Sequence, residues 1–253
     1  MTSAKNFHDP PSIPRGDFEL GRLKSLSYSR EAITTAMIAH LHPGRYYPED
    51  KLPPREKQAL ERFKYQGSWK LGNVDNIEDL TEFFDLFNDM YFNGLLTGYC
   101  KLVLIRAGTL QKRFLESGLI GRCEPSFPKE GRDPRFQPEK VMCTLSIAIE
   151  DDRRVLRQEK GSWKRIQDRL DTLVHEMLHA MFDIYTCRCE KGCRQKLEGE
   201  GGGGHHVAWL AVAKAIERKD ADGHRQFPCL GLDFARLTSL VGDLQLGYNL
   251  PRL

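Results

Sequence analysis

At 253 residues and 29.0 kDa the chain has room for one well-buried domain with an appendage, or at most two small domains. Its hydrophobic content of 40% and charged content of 29% are those of a globular protein, and no run approaches the roughly 18–20 apolar residues of a membrane span. The formal net charge of +3 permits contact with nucleic acid but lacks the dense basic stripe of a dedicated DNA binder.

Residues 1–75 are punctuated by prolines at 10, 11, 14, 43, 48, 53 and 54, and their apolar residues are scattered. They read as an N-terminal extension, partly flexible and partly packed on a main domain spanning 76–253, with short helices at Ser29–His40 and Pro54–Tyr65. The absence of an apolar run near the N-terminus argues against a secretory signal, and an odd count of seven cysteines favours a reducing compartment. The expectation is an intracellular protein.

The main domain opens on a helix. Ile77, Leu80, Phe83, Phe84, Phe87, Tyr91 and Phe92 recur at three- and four-residue spacing, and Gly94 ends the run as a C-cap. Three short β-forming runs follow at 100–107, 118–124 and 141–150. They lie close together without intervening helices, which predicts a small antiparallel three-stranded sheet and an α+β fold. A long helix is expected over "SWKRIQDRLDTLVHEMLHAMFDIY", then a polar, glycine-rich loop, "TCRCEKGCRQKLEGEGGGG". The last helix starts at His205 or His206 and runs through "VAWLAVAKAIERK", with Val207, Leu210 and Ala211 as the face that docks on the long helix. The tail beyond it is apolar enough to pack on the domain.

His175 and His179, four residues apart, project from one helical face and can reach one ion together. Glu176 cannot easily join them, but its place beside the first ligand suits a general base acting on water. A bare H-E-x-x-H also arises by chance. Here, however, Leu173, Val174, Met177, Leu178 and Met181 surround the trio, and burying two histidines and a glutamate without a partner is costly. A catalytic zinc needs a third protein ligand. His205 is the first choice because it begins a helix that can fix it; His206 is second. Glu200 is third and Glu198 also qualifies by distance, although both stand among glycines. Tyr185 and His206 are the candidates for electrophilic assistance.

Three ordered motifs carry a resemblance to the SprT-like metalloprotease family. Phe87 to Leu96 is similar to its F-N-x-x-[FY]-F-x-G-x-L pattern, His175 to Ala180 to H-E-[ML]-x-H-A, and Gly204, His205 and Trp209 to G-H-G-x-x-[FW]. The chain departs where the family's second glycine is His206, which makes that residue a competing ligand or a substrate-side group. The resemblance spans about residues 77–240. It implies a zincin-type domain with H-E-x-x-H on a central helix and Zn²⁺ held by His175, His179 and His205. It also implies a nuclear peptidase whose protein substrates are DNA-bound or DNA-crosslinked, in the manner of crosslink repair. No C-terminal zinc ribbon or ubiquitin-binding finger is recognisable, so the DNA-directed role is the weaker implication. The rival reading is a DNA- or chromatin-associated scaffold with a structural zinc.

Two further signals stand apart. Cys187, Cys189 and Cys193 could hold a second, structural zinc with Cys229 or His224; the alternative is a solvated insertion. Cys100, Cys123 and Cys143 fall in the strand runs and read as small core residues. Arg153, Arg154, Arg157, Lys160, Lys164 and Arg165 form a basic cluster, diluted by Asp151, Asp152 and Glu159, beside which Trp163 could stack on an unpaired base.

Overall fold

A computed structural model describes residues 10–14, 16–41, 52–65, 76–105, 120–126, 142–148, 162–189, 205–221 and 230–236, and single positions at 193, 194, 197, 239 and 241. Among these residues the chain is α+β: helices α1 (Arg30–Leu41), α2 (Pro54–Tyr65), α3 (Ile77–Tyr91), α4 (Ser162–Tyr185) and α5 (Val207–Ala221), and strands β1 (Cys100–Ile105), β2 (Gly121–Pro125) and β3 (Cys143–Ala148). No helix among them is long and apolar enough to cross a membrane.

The sheet is mixed rather than antiparallel, with the order β1-β3-β2. Each strand does reverse direction relative to its predecessor, as the sequence suggested. But β3 inserts between the other two, so β1 pairs with β3, which runs the same way, instead of with β2. The register is Cys100↔Cys143 to Ile105↔Ala148 on the parallel side and Gly121↔Ile147 to Pro125↔Cys143 on the antiparallel side. Central β3 is covered on both faces: Cys143, Leu145, Ser146, Ile147 and Ala148 are all buried. That explains its nearly unbroken apolar run.

Helix α3 begins on Asn76, whose side chain accepts from the Glu78 N–H, with Glu78 and Asp79 favourably placed in the first turn. It buries Leu80, Phe83, Phe84, Phe87 and Tyr91 of the expected face, with Leu86 and Met90 besides, while Ile77 stays half-buried. The turn after it is built around Asn88. The Asn88 carbonyl accepts the N–H groups of Phe92 and Gly94 at 3.1 and 2.9 Å. The buried Asn88 side chain accepts the Leu96 N–H at 3.0 Å and donates to Thr97 Oγ1 at 2.9 Å. Gly94 adopts φ +77°, and a Cβ there would fall 2.6–2.9 Å from the Arg55 guanidinium. That guanidinium is held by Asp89 at 2.9 Å. The Asn and Gly of the first motif are thus residues of a structural corner.

Helix α4 is the centre of the core. Leu173, Val174, Met177, Leu178, Ala180, Met181 and Ile184 are fully buried, with β2 and β3 on one side and α1, α3 and α5 on others. The N-terminal segment takes part in the same core through Phe18, Leu23, Ile33, Met37 and Leu41. It is also tied to the end of α4 by main-chain bonds: Leu26 N–H to Ile184 O at 2.8 Å, and Cys187 N–H to Tyr28 O at 2.8 Å. Lys219 on α5 bonds Glu56 of α2 and the Met90 carbonyl of α3, at 3.3 and 3.0 Å.

Replacing Asn88 by alanine strands the buried Leu96 N–H and the Thr97 hydroxyl. Asn88→Ala should lower unfolding stability by about 1–3 kcal/mol, read as a lower urea midpoint at unchanged slope.

Candidate metal centre

The i, i+4 spacing sets His175 and His179 one turn apart on α4, and His205 stands two residues before α5. The three Nε2 atoms converge. His175 to His205 is 3.0 Å, His179 to His175 is 3.2 Å and His179 to His205 is 3.2 Å. Three nitrogens each about 2.0–2.1 Å from one tetrahedral ion lie about 3.3–3.4 Å apart, so this triangle fits one face of a zinc coordination shell. These three residues could hold a metal.

The protonation pattern suits that use. A carbonyl can only accept, so the contact of His175 Nδ1 with Phe234 O at 3.3 Å makes Nδ1 the protonated nitrogen and leaves the Nε2 lone pair facing the triangle. Burial, with His205 nearby, pushes the His175 pKa down to about 3. Burial and the neighbouring histidines push His179 well below its ordinary value. These two rings are therefore neutral near pH 7, as ligands must be.

Trp209 packs against all three rings. Its centroid lies 4.7 Å from His175, 5.3 Å from His179, where the rings stack, and 4.7 Å from His205. It is 0% exposed. Phe234 lies against both Trp209 and His175. The segment carrying Phe234 has no regular structure of its own over 230–235 and is pinned by carboxylates on α4 and α5. Asp220 accepts the N–H groups of Leu230 and Leu232 at 3.0 and 2.9 Å, Asp171 that of Asp233 at 3.1 Å, and Glu217 that of Phe234 at 3.1 Å.

Glu176 is buried at 6% exposure against strand β2. Burial raises its pKa to about 8, opposed by the Cys123 backbone N–H that bonds the carboxylate. Gly121 makes this fit possible: a Cβ there would lie 2.5 Å from Thr172 Cγ2 and 2.6 Å from Glu176 Oε1. The carboxylate is not among the groups converging on the triangle.

His206 turns away. Its Nδ1 accepts the Trp209 N–H at 3.1 Å, the hydrogen bond of a helix N-cap, and its ring meets Phe182 edge-on at 4.8 Å. Burial, Arg30 and His205 depress its pKa to about 2. This cap fixes the phase of α5 and corrects the expected docking face. Trp209, Val212, Ala213 and Ile216 are the buried apolar residues, whereas Val207 is 37% exposed and Leu210 and Ala211 are half-buried. Tyr185, the other candidate for electrophilic assistance, donates its hydroxyl to Leu95 O at 2.7 Å and is fully buried. Neither Tyr185 nor His206 belongs to the convergent group.

Cys187, Cys189 and Cys193 form a second convergent group, and Cys123, Cys143 and Asp183 a third. Cys100 and Cys123 are half-buried against the core and Cys143 is buried within it. Glu198, Glu200, His224, Cys229, the basic residues 153–160 and the side chains of Trp163, Lys164 and Arg165 lie outside the described residues. Compared with known proteins, the chain matches no family model, no curated sequence and no solved structure at a significant level.

Two contributors are not foreseen from sequence, and Trp209, which the third motif singles out, gains its role as the support of all three rings only from the structure. Gly121 reads only as one glycine in a β-forming run. The Phe234 carbonyl had no signal, since a backbone acceptor 59 residues from His175 leaves no side-chain signature. The geometry separates adjacent histidines experimentally. His205→Ala should weaken zinc affinity by orders of magnitude. His206→Ala should leave affinity nearly intact while costing about 1 kcal/mol of stability through loss of the cap. Chelator competition and thermal unfolding of the two variants provide the readouts.

Proposed function

We propose that the protein is a zinc metallopeptidase in which His175, His179 and His205 hold Zn²⁺ and Glu176 is the general base. The observation that carries this reading is the triangle of Nε2 atoms 3.0–3.2 Å apart with a non-converging carboxylate one residue from the first histidine. When bound in such a three-ligand site, zinc activates water and polarises a carbonyl through its open fourth position. With a divalent cation beside it to offset the burial that raises its pKa, Glu176 would be ionised, accept the water's proton and return it to the leaving amine. The Cys123 N–H and the Gly121 cradle hold that carboxylate in one orientation. Phe234 O keeps His175 in the tautomer that offers Nε2 to the ion, and Trp209 keeps water from the rear of the three rings.

The motif resemblance supports a SprT-like peptidase and, through it, DNA-bound or DNA-crosslinked proteins as substrates in the nucleus. Strand β2, an edge strand among the described residues, runs beside Glu176 and offers an extended peptide a main-chain partner. The rival reading, a DNA- or chromatin-associated scaffold with structural zinc, leaves Glu176 without a role. A structural site is closed by four protein ligands and needs no base.

Glu176→Gln keeps size and polarity but removes the proton acceptor. Zinc content should stay at wild-type level while cleavage of casein or histone falls by at least about a hundredfold. Near-normal turnover in this variant would refute the mechanism. Running the same digestion with and without single-stranded DNA tests the DNA-directed part: stimulation supports it, and equal rates remove it.

A further inference from the structure

We propose that Cys187, Cys189 and Cys193 hold a second zinc ion, separate from the histidine centre, which closes the chain on itself at the exit of α4, where Cys187 is already bonded to the N-terminal segment. The ligand atoms of these three residues all lie within 4.8 Å of one another. Sulfurs each about 2.3 Å from a tetrahedral zinc stand about 3.8 Å apart, so a small inward adjustment closes the site. A disulfide would use only two of the three thiols and gives no reason for the third to converge.

The backbone brings them together by identifiable contacts. The Cys187 N–H donates to Tyr28 O at 2.8 Å, next to the Tyr28↔Thr186 bridge, which fixes the first thiol at the end of α4. The Arg194 N–H donates to Cys189 O at 3.3 Å, which folds the chain back so that Cys193 returns to the first two thiols. Cys187 and Cys193 are 5% and 8% exposed, while Cys189 is half-buried and offers the way in from solvent. Three soft thiolates select zinc over magnesium or calcium, and water completes the tetrahedron at the half-buried Cys189 side, so that this site, unlike most structural zinc sites, has three protein ligands.

Cys187 lies eight residues beyond His179, and the proposal does not rest on the peptidase reading. A zinc here would hold the joint at which residues 26–28, the end of α4 and the start of the chain towards His205 meet. Loss of the ion should therefore loosen that joint without removing a histidine ligand.

Full-length protein stripped of metal and reloaded with zinc should carry two ions per chain. His179→Ala and the triple variant Cys187→Ser, Cys189→Ser, Cys193→Ser should each carry one. Reloading with Co²⁺ should give a thiolate-to-cobalt charge-transfer band in wild type and in His179→Ala, and none in the triple variant. If the triple variant fails to fold, the band in the other two proteins still decides the matter. One zinc in wild type with no thiolate band would overturn the proposal.

Discussion

Three converging, half-buried imidazoles beside a buried carboxylate are the constraint around which the neighbouring structure is arranged. Desolvating such groups costs several kcal/mol unless they are paired or bound to a metal, and packing alone does not return that energy. The cost is concentrated on one turn of α4, where His175, Glu176 and His179 stand among fully buried Val174, Met177 and Leu178. A metal ion bound there would offset it by taking up lone pairs that face one another at 3.0–3.2 Å. The neighbouring structure then serves to hold those lone pairs in place.

That holding is done by groups distant in sequence. Trp209 supports all three rings, and the His206 cap fixes Trp209 by fixing the start of α5. The carboxylates of Asp220, Asp171 and Glu217 each accept backbone N–H groups of residues 230–234, which carries the Phe234 carbonyl to His175. The corner at Asn88 and Gly94 plays a similar part on the opposite side. It presents the Leu95 carbonyl to the Tyr185 hydroxyl, and so ties α3 to the end of the helix that carries the ligands. First and third motifs therefore meet physically through α4, although they lie far apart in the chain.

The helices and the histidine pair are legible because each rests on local periodicity: the 3.6-residue repeat dictates both the buried face of α3 and the common face of His175 and His179. His205 was legible from its position ahead of a helix. The strand order was not, since nothing local to "CTLSIA" says that it lies between two strands rather than beside one. The docking face of α5 was misjudged by a similar margin. Val207, Leu210 and Ala211 have the apolar character of a buried face, but the phase is set by a histidine acting as an N-cap, an uncommon role. Gly121 shows the same limit, because its lack of a side chain has meaning only once β2 is seen against Glu176.

Anomalous diffraction at the zinc absorption edge, from crystals of zinc-loaded protein, tests the histidine centre most directly. The predicted result is a peak about 2.0–2.1 Å from Nε2 of His175, His179 and His205, with the Glu176 carboxylate outside bonding distance of the ion. An ion bound through Glu176 or His206, or no peak at the triangle, would contradict the proposed centre.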